Sequence, residues 1–468
     1  MTDEEAGDAN TPAGRPLGLV APARPGRRRG FGVRLGLGLA VALTLVGGPA
    51  MAVDSTWWHQ NRSSLTVYPA AAENAQIAAG DAAPDAPAAA ASPRAGDPAA
   101  VRHAWVRTRI QTVLDTQAAA LLRGDEQGFV APVDPSAAPL ADVLRRRFTA
   151  LRAMDVAGWT ETLAADPAPT EGGWVATVKI GYCFGVVGCQ PVTIPVATRW
   201  VETAAQPALV EFGTSVAADF GPRPWEVTEL RVAVGARTIV AAPPRYAGRV
   251  PALLQAAEEA AAVTDRYARW GAPPGRYLVY LAGPDEWGAW YGVKQSEWVA
   301  GYAMPITDHD TEIVLNAQRV TGTEVVDTLR HEFTHVVTLA DAHHDYSGQW
   351  WLVEGIAEYV RMVGRPLKEY ELLNASRRYV RKGSRTDVAS LAEPAAGSST
   401  EDASGRYGVA FLTVRRLAER FGEERMLLFF QKVVREGVPA AEASVSVFGA
   451  DWDAVTKDCA AYVKKNLS

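Results

Sequence analysis

The chain is expected to adopt an α+β fold, and three features carry that expectation. Residues 101–154 repeat apolar side chains at helical spacing. Residues 174–234 then alternate apolar and polar side chains between Gly, Pro and Asp turns. Beyond residue 237, three short β-rich runs lie among long helical patterns. Helices followed by strands suit a helix packed on a curved antiparallel sheet, a cone-like α+β unit. At 468 residues the chain exceeds one ordinary core, so two folded units plus non-globular segments are expected.

Residues 1–34 begin polar and rich in Gly, Pro and Ala, and read as a disordered cytoplasmic tail. Arg27, Arg28 and Arg29 precede an uncharged apolar run over 35–53, roughly 28 Å long as a helix. Cationic residues upstream predict an exported remainder, with Trp57 and Trp58 at the far interface. The run reads as a transmembrane anchor or as a signal segment. Ala50-Met51-Ala52 offers a small-x-small cleavage site, and Arg28-Arg29-Gly30-Phe31 loosely resembles a twin-arginine signal. The expected location is the cell membrane, single-pass with the folded part outside the cytoplasm, or alternatively secreted. Residues 54–100, dominated by Ala, Pro, Gly, Asp and Glu from residue 69, read as a linker or stalk.

The first folded unit is expected over 101–236. One amphipathic helix runs through Trp105, Ile110, Val113, Leu114, Leu121 and Leu122, and a second covers 140–154. Strands are expected at 174–180, 192–201, 208–212 and 225–234. This order resembles the nuclear-transport-factor-2-like fold in architecture. Cys183 and Cys189 stand close enough in sequence for a disulfide in an exported domain, or for two ordinary thiols near a turn. Three Cys in all make a Cys-only metal site an unsuitable reading, and Cys459 fits a packed helix position. A net charge of −6 gives no sign of a nucleic-acid partner.

The second unit is expected over 237–468. It opens with a strand at 238–240 and a helix over 250–270, followed by strands at 277–281 and 312–315. Thr321-Gly322-Thr323-Glu324 reads as a capping box that starts the next helix. That helix carries His331-Glu332-Phe333-Thr334-His335. Two His four residues apart share one helix face and can reach one ion. A further helix over 350–363 carries Glu354 and, one turn on, Glu358. With 7 His in the chain, His-Glu-x-x-His arises by chance in fewer than about 1 chain in 100.

The pattern of His331, Glu332 and His335, eighteen intervening residues, then Glu354 and Glu358 resembles the gluzincin metallopeptidases and their peptidase MA-like relatives. The segment Trp351-Leu352-Val353-Glu354-Gly355-Ile356-Ala357-Glu358-Tyr359 is similar to the Trp-Leu-x-Glu-Gly-x-Ala segment of that group. The likeness covers about half of the chain. It implies a zincin-like catalytic domain, Zn2+ held by His331, His335 and Glu354, and Glu332 as general base. It further implies Glu358 as the residue orienting a ligand His, and a peptide or protein as substrate. Tyr407 resembles the Tyr that opens the helix after the active-site loop in the aminopeptidase branch, an oxyanion donor there. Tyr302, Tyr346, His343 and His344 are weaker candidates. The Gly-x-Met-Glu-Asn segment of that branch is missing from the sequence, which favours endopeptidase over aminopeptidase action. The 312–315 strand is a candidate sheet edge for pairing with an extended peptide. Trp287, Trp290, Tyr291 and Trp298 suit core packing better than a cleft wall. The reading from another class is a membrane-tethered binding or scaffold protein with a vestigial zincin domain; an intact Glu332 counts against it.

Overall fold

The structure is a computed structural model. It describes residues 92–467 apart from 95, 187–188, 217–220, 293–294, 297, 308–309, 323, 343–346, 384–385, 389–390 and 396. The apolar run at 35–53 and most of the linker therefore lie outside the described residues, as do His343, His344 and Tyr346. No helix among the described residues is long and apolar enough to cross a membrane.

Helices and sheets mix as an α+β chain should. Helix α1 (Ala99–Arg123) buries Val106, Ile110, Val113, Leu114 and Leu121, its helical-spacing stripe. Helix α2 (Ala138–Ala153) buries Leu144, Phe148 and Leu151. Both cover an antiparallel sheet in the order β1 (Val156–Leu163), β3 (Gly173–Phe184), β4 (Val192–Val201), β5 (Ala208–Phe212), with β2 (Ala168–Thr170) alongside β3. The Cys183 and Cys189 sulfurs are bonded to each other at the end of β3.

Strand β1 has no counterpart in the sequence reading. Its inward positions are Val156, Trp159, Glu161 and Leu163, so a buried carboxylate and a bulge near Gly158 break the expected alternation. The 225–234 region also differs. Pro224–Val227 is a helical turn, and only β6 (Arg231–Val234) is extended.

Strand β6 pairs antiparallel with β7 (Thr238–Ala242) and opens a second sheet. Its order is β6-β7-β8-β10-β9, with β8 at Tyr277–Ala282, β9 at Gly301–Pro305 and β10 at Thr311–Asn316. β7, β8 and β10 run parallel, and β9 returns antiparallel along the edge. Parallel strands want cover on both faces. On one face, Val240, Val279, Leu281, Ile313 and Leu315 pack beneath helices α3 (Val250–Thr264) and α4 (Glu324–Leu339). On the other, Ile239, Ala241, Leu278, Tyr280 and Val314 join the core of the first sheet. The two sheets thus share one apolar core, whose members run from Val106 to Val314 in sequence.

A polar network sits in that shared core. Arg223 Nε donates to the Tyr182 hydroxyl at 3.2 Å, and Tyr182 donates to Glu312 Oε1 at 3.3 Å. The Tyr291 hydroxyl donates to Glu312 Oε2. The remainder of the chain is helical: α5 (Trp350–Arg361), α6 (Leu373–Arg381), α7 (Thr400–Phe421), α8 (Glu423–Phe430) and α9 (Trp452–Leu467). Helix α7 starts at Thr400, where the Ser399 hydroxyl accepts the Asp402 N–H at 3.1 Å and caps it.

Candidate metal centre

Two helices bring the motif residues together. Leu329, Phe333, Val336 and Val337 fasten α4 to the sheet, with Phe333 stacked on Tyr277 at 4.0 Å between ring centroids. The opposite side of the helix turns His331, Glu332 and His335 towards a cleft. Helix α5 buries Leu352, Val353, Ile356 and Val360, and presents Glu354 and Glu358 to the same cleft. Helix α7 crosses α5 at Gly355. A β-carbon there would meet Val414 Cγ2 at 2.6 Å and the Ala410 carbonyl oxygen at 2.7 Å, so only glycine allows this approach beside Glu354.

The donor atoms converge. His331 Nε2 stands 3.1 Å from His335 Nε2 and 3.1 Å from Glu354 Oε2, and His335 Nε2 stands 3.5 Å from the same oxygen. All three residues are buried and form a group able to hold one metal ion. On the far side of its ring, His331 Nδ1 donates to Glu358 Oε1 at 2.8 Å, which orients the ring with Nε2 towards His335 and Glu354. Arg361 in turn donates to Glu358 Oε1 at 3.3 Å and to Glu371 Oε2 at 2.5 Å.

The electrostatics fit a site built for positive charge. Burial works against a charged His331, yet hydrogen bonds to Glu354 and Glu358 prevail and hold it up at about 10. Burial also opposes ionisation of Glu354, and the His335 and His331 imidazoles overcome it, so its carboxyl stays well below the usual range. Glu358 is held down likewise, by Arg361 and His331 against burial. Glu332 differs. Burial raises its pKa, and the two imidazoles offset this only in part. A carboxylate poised above its ordinary value suits proton transfer.

Glu332 lies against the sheet edge. A β-carbon on Gly301 would stand 3.1 Å from Glu332 Oε1 and 2.9 Å from Leu315 Cδ2. The edge strand is β9, because β10 is paired on both sides; the 312–315 strand expected at the edge is internal. The cleft encloses about 240 Å3, and its far wall is α7, through Thr400, Ala403, Ser404 and Tyr407.

The Tyr407 ring lies 6.0 Å from that of His331, 5.2 Å from Trp350 and 6.3 Å from Trp298. Tyr302 packs on Trp287 in the core shared with the first sheet and also borders the cleft. The four aromatics divide: Trp290 and Tyr291 are fully buried, whereas Trp298 lines the cleft. Sequence reasoning missed Arg361, Thr328 and Arg319 as cleft residues. Arg361 had a signal, one turn beyond Glu358; Arg319 had none.

No protein-family model matches the chain, and no curated protein matches it.

Proposed function

We propose that this chain is a zinc-dependent metallopeptidase with a zincin-like catalytic half, acting outside the cytoplasm. The observation that carries this reading is the donor triangle, with sides of 3.1, 3.1 and 3.5 Å and Glu332 in the same cleft. Ligands about 2.05 Å from a tetrahedral zinc stand about 3.3 Å apart, so the triangle fits that ion with little rearrangement. Two neutral imidazoles and one carboxylate also match the His2Glu donor chemistry of hydrolytic zinc.

His331, His335 and Glu354 would hold the zinc ion, which would supply Lewis acidity to the scissile carbonyl and an attacking water. Glu332 then takes a proton from that water and hands it to the leaving amine nitrogen. The unpaired side of β9 supports an extended substrate through main-chain hydrogen bonds. Tyr407 is the proposed donor to the developing oxyanion. The lack of a Gly-x-Met-Glu-Asn segment favours internal cleavage of a peptide or protein chain. The Cys183–Cys189 bond is in keeping with an oxidising compartment, and the 35–53 run would tether or export the chain.

The test pairs metal analysis with turnover. The wild type should hold about one zinc per chain and cleave a broad peptide pool in a chelator-sensitive way. His335→Ala should lose the metal, and Glu332→Gln should keep it while losing cleavage. Identical behaviour of wild type and Glu332→Gln would favour the tethered binding protein instead.

A further inference from the structure

Two arginines line the cleft, and they are treated differently by the fold. Arg361 is held between Glu358 and Glu371. Arg319 is exposed, and no carboxylate, carbonyl or aromatic ring among the described residues engages its guanidinium. Glu324, the nearest cleft carboxylate in sequence, makes no ion pair with it.

The turn that carries Arg319 is nonetheless rigidly held. The Arg319 and Val320 N–H groups both donate to the Asn316 carbonyl at 3.0 Å. Arg249 clamps the turn from behind, donating to the Ala317 carbonyl at 2.7 Å and the Val320 carbonyl at 2.5 Å. The Asn316 N–H donates to the Ala300 carbonyl at 2.8 Å, tying the turn to the residue before Gly301 and hence to the strand edge against which Glu332 rests. A fixed backbone thus offers an uncompensated cation in the cleft that holds the metal centre. A guanidinium recognises carboxylates by charge-assisted, often bidentate hydrogen bonds.

We infer that Arg319 is a specificity-determining residue that selects substrates bearing a carboxylate, either an acidic side chain or a free C-terminus, near the scissile bond. This rests on the peptidase reading above.

The experiment measures binding to the intact, zinc-loaded chain in the Glu332→Gln background, so that turnover does not interfere. The probes are a neutral hexapeptide amide, the same peptide with a free C-terminal carboxylate, and amides carrying one Glu at each of the last three positions. One or more carboxylate probes should bind roughly tenfold tighter than the neutral amide. Arg319→Gln should erase that advantage, and Arg319→Glu should invert it. The tightest probe tells whether terminus or side chain is read. Equal binding of all probes, no binding of any, or an advantage that survives Arg319→Gln overturns the inference. Cleavage of the neutral amide by the chain with Glu332 intact judges the peptidase reading separately.

Discussion

Two buried polar clusters lie on opposite faces of the second sheet, and they are wired differently. Around Glu312, donors and acceptors alternate: guanidinium to hydroxyl, hydroxyl to carboxylate, and a second hydroxyl to the other carboxylate oxygen. That network is complete with the protein's own atoms. Around His331, three potential ligand atoms face one point at 3.1 to 3.5 Å. Two imidazole nitrogens and a carboxylate oxygen converge there, and one shared positive charge, a proton on His331 or a metal ion in its place, is what satisfies such an arrangement. Burial alone therefore does not mark a functional site; convergent acceptors do.

Substitutions can break this contrast at several strengths. The largest effect should be Glu332→Gln, which lowers peptide cleavage by about 10²- to 10⁴-fold while elemental analysis still finds the metal. Next comes Glu312→Gln in the closed network. It removes a buried negative charge that offsets the Arg223 guanidinium and should cost about 3–5 kcal/mol in denaturant unfolding, with metal content unchanged. If it removed the metal instead, the two clusters would not be independent. Gly355→Ala should cost about 1–3 kcal/mol, because the added methyl pushes α7 from α5, and it should weaken metal binding by shifting Glu354.

A pH-linked effect concerns Glu161, whose Oε1 accepts from Trp159 Nε1 in the first sheet's core. Burial pushes its carboxyl up to about 8 from an ordinary 4.5. The folded state then keeps a proton that the unfolded chain has released, so stability falls as pH rises between those values. The slope is about 1.4 kcal/mol per pH unit at most. Unfolding of wild type and Glu161→Gln at pH 5 and pH 8 should show the loss in the former only.

The metal helices were legible because their chemistry is local. His331 and His335 share a face by spacing, and Glu354 and Glu358 repeat one turn apart. Strand β1 was hidden by inward-facing Glu161, and β9 by its Pro and Gly ends. The edge assignment failed for the same reason: without β9, β10 looked outermost. The shared core was beyond reach, since Tyr182 and Glu312 are 130 residues apart and nothing near either names its partner. Arg319 was invisible because its role depends on a turn clamped by Arg249, distant in sequence.

A parallel sheet buried on both faces also sets an order of events. β7, β8 and β10 cannot finish burying Ile239, Leu278 and Val314 until the first sheet is present to receive them. Pairings of such long sequence separation form slowly and leave sticky strands waiting. A chain that emerges from its N-terminus delivers the receiving surface first. The later half then has a template to condense on, and the candidate metal centre is assembled last.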